Sequence, residues 1–260
     1  MSSLSFQGNA TSYLRIPNAN SINFGTGDFT IEWYQYQTDS NPYPRVFQIG
    51  SYDDENVSIG VSIEEGEGSS FYYWTNGTPN SVTTLESSDY KNKWVHFAIC
   101  RSNNVTKVFM NGNSIYTMED TNDFNSEEDL IITNESTQSD DAAFGGYIAY
   151  FTWVKGAALY TSDFTVSNTY PTLTSDYVLL LKASSYTGTL GSSVTSYNVS
   201  TIESLPTNFS SVHTTSSNTV NLRNMKSLFT DNSRVYYKPG SLASCGVGSV
   251  RNSSMKSRRI

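Results

Sequence analysis

The sequence predicts an all-β protein built as a sandwich of antiparallel strands. Three observations carry that expectation. Aromatic residues make up 13% of the chain, with Gly, Ser, Thr and Asn plentiful between them. Strand-like runs and turn signals alternate at short spacing, the pattern of a sandwich rather than of βαβ units. No long stretch repeats its apolar residues at helical period.

The elements follow in order as SLSFQGN, YLRIP, DFTIEWYQYQ, RVFQIGSY, NVSIGVSIE, SSFYYWTNG, WVHFAICR, VTKVFM, SIY, DLIITN, GYIAYFTWV and DYVLLLKA, roughly a dozen strands. In Phe29-Thr30-Ile31-Glu32-Trp33 the apolar residues fall on alternate positions, the period of a strand with one buried face. Its other face is Thr30, Glu32, Tyr34 and Tyr36. The strongest local pattern is WVHFAICRSNNVTKVFMNG, residues 94–112. Trp94 to Arg101 and Val105 to Met110 make a hairpin through the polar turn Ser102-Asn103-Asn104. Asn111-Gly112 then tolerates the two positive φ angles of a type I′ turn, returning the chain through Ser114-Ile115-Tyr116.

A chain of 260 residues accommodates one large β domain with an appendage, or two small domains. The texture changes after Ala183. Residues 184–221 contain 19 Ser or Thr among 38, so they read as an extended, weakly structured connector. Residues 222–260 are basic and Gly-containing. The organisation expected is therefore a domain over 1–183, a connector over 184–221 and a tail over 222–260. Net charge divides the same way: residues 184–260 carry eight basic side chains against two acidic ones, +6, which leaves −14 on the first 183 of a chain whose total is −8. The eight cations, Arg223, Lys226, Arg234, Lys238, Arg251, Lys256, Arg258 and Arg259, are the candidate partner-binding residues. No aromatic interleaving accompanies Lys256-Ser257-Arg258-Arg259, which favours an acidic protein surface over nucleic acid as the partner.

The opening MSSLSFQGNATSYL has neither a basic start nor an apolar run, so a product made and kept in a cytosol is expected, and no apolar run is long enough to span a bilayer. Cys100 and Cys245 imply no disulfide framework, and Cys100 reads as a small buried residue.

The blocks FQGNATSYLRIP, FGTGDFTIEWYQY, KWVHFAICRSNNVTKVFMNG and GGYIAYFTWVKGAALYTSDF, taken in that order, resemble the laminin-G-like branch of the concanavalin A-like lectin/glucanase superfamily. Trp94, His96 and Ala98 occupy its Trp-x-His-x-Ala places and Asn111-Gly112 its turn. Gly146, Ile148, Ala158, Leu159, Tyr160 and Phe164 match its closing strand and the short turn after it. The resemblance covers about residues 3–183. It implies a jelly-roll sandwich of two antiparallel sheets, one of them curved, and no particular chemistry. The ending VYYKPGSLASCGVGSVRNSSMKSRRI is similar to basic C-terminal endings on virion proteins of large algal and amoebal DNA viruses. That likeness implies a capsid-associated protein located in the virion, with other virion proteins as partners.

Enzyme chemistry is not expected. A retaining glycosidase needs two carboxyls about 5 Å apart, which on this fold requires acidic residues at alternate positions of one strand. Glu32 stands alone, and Glu64-Glu65 and Glu67 fall in a hairpin loop. A Ser-His-Asp site needs a histidine base. His96 lies mid-strand, where packing between the sheets is expected, and His213 lies in the connector without a partner. No zinc-ligand spacing is present. Calcium has candidate oxygen ligands at Asp53-Asp54-Glu55, Glu119-Asp120 with Asp123, Glu127-Glu128-Asp129 and Asp140-Asp141, none with the spacing of a dedicated loop, so no cofactor is expected. Glycan binding has candidate platforms in Phe71-Tyr72-Tyr73-Trp74-Thr75-Asn76 and Trp33-Tyr34-Gln35-Tyr36. The leading expectation is a non-enzymatic virion component, held by its tail in a larger assembly. A lectin or adhesion module for host cell-surface glycans is the alternative, and a glycan hydrolase comes third.

Overall fold

The computed structural model describes residues 3–202 apart from 19, 39–40, 51–56, 65–69, 85–86, 168–174, 184 and 188–190. All eight candidate tail cations, Arg223 to Arg259, lie outside the described residues, as do His213 and Cys245. Sixteen strands are described: β1 (Ser3–Gln7), β2 (Tyr13–Ile16), β3 (Phe29–Gln37), β4 (Arg45–Gly50), β5 (Val57–Glu64), β6 (Ser70–Thr75), β7 (Thr78–Thr84), β8 (Val95–Ser102), β9 (Val105–Met110), β10 (Asn113–Glu119), β11 (Leu130–Ile132), β12 (Gly145–Lys155), β13 (Tyr177–Lys182), β14 (Ser185–Thr187), β15 (Thr195–Tyr197) and β16 (Ser200–Ile202). One short helix, α1 (Ser87–Tyr90), lies between β7 and β8.

The strands form a jelly-roll sandwich. Among the described residues the first sheet runs β10-β9-β8-β3-β12-β1-β16, with β13 on the distal half of β12 and β14 beside it. The second runs β15-β2-β11-β4-β5-β6-β7, and the pairings within both sheets are antiparallel. Alternation decides what is buried between them. Phe29, Ile31 and Trp33 of β3 stand opposite Arg101, Ile99 and Phe97 of β8, and the apolar members of these pairs join Phe47, Phe71, Phe151 and Trp153 in one core. Trp33 packs edge-on to Phe47 and stacks on Phe97, while its ring nitrogen donates to Gln35 Oε1 at 2.8 Å, so the buried indole keeps a partner.

The turns chosen from sequence form as expected. Asn111 and Gly112 have φ of 51° and 82°, and Asn103 and Asn104 have 51° and 61°, so both links of β8-β9-β10 carry paired left-handed residues. Gly112 is constrained twice: a Cβ there would lie 2.1 Å from the carbonyl oxygen of Phe164, whose amide donates to Gly112 O.

Two expectations differ from the structure. Part of the Ser/Thr-rich segment is regular: β16 pairs with β1, β15 with β2 and β14 with β13. A strand added to a sheet edge needs main-chain hydrogen bonds rather than an apolar face, so composition conceals it. His96 does not lie between the sheets. It alternates with Val95 and Phe97 of the core and therefore projects from the outer face of the first sheet, where it is 2% exposed.

What buries His96 there is residues 156–167, a strap laid across that face. Ala158, Tyr160 and Phe164 pack on Ala98, Cys100 and Phe109. Leu159 N donates to Thr30 Oγ1, Thr30 Oγ1 to Ala157 O, and Lys107 Nζ to Thr161 O, at 2.7 to 3.0 Å. Burial pushes the Cys100 thiol from 9.0 up to about 11, against the lowering effect of its hydrogen bonds. Tyr177 is raised to about 12 by burial and, secondarily, by the Glu32 charge. Each folded group holds its proton where the unfolded one has lost it. This contribution to stability is complete below about pH 9 and is lost as pH rises through 11 and 12. Urea melts should therefore show stability falling by about 2 kcal/mol or more between pH 9 and 11. Iodoacetamide at pH 7.5 should leave Cys100 unlabelled in the native protein and label it fully in denaturant. Labelling of the native thiol at the denatured rate would show the strap to be open.

Candidate functional site

Among the described residues a polar site is built where two loops meet at one end of the sandwich: residues 17–28, between β2 and β3, and residues 120–129, between β10 and β11. Each loop keeps strand-like alternation after its strand has ended. Ile22 and Phe24 enter the core, Phe24 stacking on Phe29 at 4.2 Å and on Trp153 at 4.6 Å, and Phe124 enters from the facing loop. Intervening polar residues are left at the rim. The two loops are zipped together. Gly25 and Phe124 exchange main-chain hydrogen bonds at 3.2 and 3.0 Å, and the Asn23 amide accepts from Ser126 N at 3.1 Å while donating to Ser126 O at 2.9 Å.

Beneath them lies Arg101, the last inward residue of β8 and fully buried. Its Nε donates to Gly27 O at 2.9 Å, Nη1 to Asn122 O at 2.7 Å, and Nη2 to Gly25 O and Gly27 O, both at 2.6 Å. Its guanidinium lies 5.0 Å from the centre of the Phe29 ring and 4.7 Å from that of Phe124. The counter-charge is Asp120, 3.9 Å away and 1% exposed. Asp120 Oδ2 accepts from Thr106 at 2.7 Å, and Oδ1 accepts from the Asn122 side chain at 2.8 Å. Tyr73, also directed at Asp120, has its phenol held well above its ordinary range, first by burial and then by that carboxylate. From the other side Trp153 Nε1 donates to Ile22 O at 3.0 Å and Lys155 Nζ to Asn20 O at 2.9 Å. Buried charge and buried rings fix both loops before any ligand arrives.

Between the loops lies a shallow cleft, wide open to solvent, of about 700 Å³, lined by Asn18, Asn20, Asn23, Asn125, Ser126 and Glu127. Asn18, Asn20, Asn125 and Glu127 are exposed. Amides offer donors and acceptors side by side, the complement of a hydroxyl that both gives and takes a hydrogen bond. The geometry suits a small polar ligand held by hydrogen bonds.

The two aromatic glycan platforms expected from sequence lie elsewhere, and of the acidic candidates Glu127 lines the cleft. Trp33, Phe71 and Tyr73 belong to the core, and Tyr36 is half-buried against Trp94 and Tyr147, with ring centres 5.7 and 5.8 Å away. Glu32 is not isolated, as its Oε2 accepts from Tyr160 at 2.8 Å and meets His96 Nε2 at 3.3 Å beneath the strap. The acidic loop clusters serve as local fasteners. Asp129 pairs with Arg15 and caps Asn18 N, Asp140 caps Ala10 N, and Asp120 is the buried counter-ion. Among the described residues no group of three or more His, Cys, Asp or Glu is placed to hold a metal ion. Asp53, Asp54 and Glu55 lie outside them. Arg101 was missed, although it occupies the inward phase of Val95, Phe97 and Ile99, and an arginine at a core position of an apolar strand is itself a signal.

A family model described as the concanavalin A-like lectin/glucanases superfamily matches residues 7–167. Similar solved structures include a candidate carbohydrate-binding protein from Bacteroides ovatus, 13% identical over 78% of this chain and 60% of that one, with a TM-score of 0.54. A SAP-like pentraxin from Limulus polyphemus is 14% identical over 62% and 78% of the two chains, TM-score 0.48. Domains LG4-5 of the mouse laminin α1 chain are 13% identical over 64% and 46%, TM-score 0.45. The chain thus spans less than two thirds of the Bacteroides protein it matches. Identities this low carry the fold alone. No curated protein matches the sequence at a significant level.

Proposed function

The chain belongs to the concanavalin A-like lectin/glucanases superfamily, and on that premise we propose that it is a non-catalytic carbohydrate-binding module whose ligand enters the rim cleft. The observation that supports this reading is the preorganised, amide-lined cleft itself: a shallow polar depression whose walls are zipped together and held from below binds hydroxyl-rich ligands without first ordering its loops. The lining contains one carboxylate, Glu127, where glycosidic hydrolysis needs two. Glu32, the residue whose loss would mark a hydrolase, is committed to Tyr160 and His96 under the strap. The Bacteroides structure, the likeness with the highest fold agreement of the three, is described as carbohydrate-binding, which is compatible with this proposal without carrying it.

The test is capture of the full chain on a glycan array, beside Asn20→Ala and Asn125→Ala. Each variant removes an exposed lining amide, and the main-chain acceptor of Lys155 is kept. Capture by the native chain with about five-fold or greater loss in each variant, at unchanged melting temperature, is the expected result. Equal capture by the variants would remove the cleft from the reading. The virion-component reading rests on the charge division of the sequence and on the ending Arg223 to Arg259, and it meets the same experiment, since a purely architectural subunit binds no sugar above background.

A further inference from the structure

We propose that the cleft selects uncharged glycans, read along their hydroxyl edges, and rejects sialylated, sulfated or uronate-bearing ones. This rests on the carbohydrate reading above and specifies its ligand class. Three observations carry it.

The lining holds four asparagines, one serine and one glutamate, with no cation among them. Sites that recognise carboxylate or sulfate place a guanidinium fork or an ammonium against the anion, and here the ligand's anion would meet Glu127 instead.

The surrounding charge has the same sign. Asp123, Glu128 and Asp129 belong to the wall that carries Glu127, and Asp123 and Glu128 are exposed. Arg15 and Lys155 also border these loops. Arg15 is engaged by Asp129 and Lys155 by the main-chain carbonyl of Asn20. Four carboxylates against two cations leave the rim negative, and an anionic ligand approaches against that field.

No aromatic ring lines the cleft. The rings nearest the two loops, Phe24, Phe124 and Trp153, are turned into the core. Recognition therefore comes from hydrogen bonds to hydroxyl edges rather than from stacking on a sugar face. Asn125 is already oriented, its Nδ2 donating to Asp123 Oδ1 at 2.6 Å.

The experiment uses the full chain on an array in which each neutral glycan is printed beside its sialylated and sulfated forms, lactose beside 3′-sialyllactose and 3′-sulfolactose among them, at 20 mM and 300 mM salt. Neutral members should be captured at least about five-fold more strongly than their charged partners at low salt, with the gap narrowing at high salt as the rim is screened. Glu127→Gln should raise the ratio of charged to neutral capture. Equal or stronger capture of the charged members by the native chain at 20 mM salt would overturn the selectivity while leaving carbohydrate binding intact. Absence of capture on every spot would overturn both.

Discussion

Replacing Arg101 by alanine is expected to cost about 3–5 kcal/mol of folding stability, because it strips a buried carboxylate of its counter-charge and leaves main-chain carbonyls without their donors. Asp120 would remain enclosed and charged, and the oxygens of Gly25, Gly27 and Asn122 would lose four hydrogen bonds between them. In a domain of about 200 residues a loss of this size lowers the melting temperature by roughly 10 °C. The variant Arg101→Met with Asp120→Asn separates the two causes. It removes both charges and retains volume, so it should recover part of the loss. Amide exchange adds a local readout, since Gly25 and Phe124 should lose protection in Arg101→Ala even below the melting range. A loss smaller than about 1 kcal/mol would mean that the loops are held by their zipper and core rings, with the guanidinium incidental.

Trp153→Ala should be comparably damaging, at about 3–5 kcal/mol. Trp153 is fully buried, stacked on Phe24 and Phe151 and edge-on to Phe47 at 5.7 Å, so its removal opens a cavity where four rings and both sheets meet. It also releases Ile22 O, the attachment of the first rim loop. Trp153→Phe keeps most of the packing and loses the hydrogen bond, so it should cost closer to 1–2 kcal/mol. Equilibrium unfolding in urea distinguishes them. If alanine and phenylalanine cost the same, the hydrogen bond rather than the rings fixes this corner.

These two residues show what the sequence could and could not disclose. The alternation of Phe29, Ile31 and Trp33 reveals the buried face of β3, and Asn111-Gly112 reveals its turn, because both signals are local. The phase of β12 is not local. Ile148, Phe151 and Trp153 all face the core although their spacing breaks a period of two, and the break is a bulge between Ala149 and Thr152, where Tyr150 takes a φ of 51°. A strict alternation through this strand would have turned its largest side chain outward. The cleft was hidden for a different reason: its walls are loops whose alternation is too short to read as strands, and they come together through Arg101 and through pairings spanning about a hundred residues of sequence. The Glu32, His96 and Tyr160 cluster likewise joins positions 64 and 128 residues apart. The acidic loop clusters were visible, but sequence could not show that several of their carboxylates serve as caps and counter-ions.

All four hydrogen bonds that Arg101 sends into the rim end on main-chain oxygens, and none depends on the identity of a loop side chain. The guanidinium's hold is therefore indifferent to the side chains at positions 18, 20, 125 and 127. Positions 18, 20, 125 and 127 form a surface that substitution can rewrite while the frame beneath is left alone, a natural platform for a combinatorial library. A lineage under pressure from changing ligands, or a laboratory selecting new ones, would work on the same four positions and inherit the same arginine.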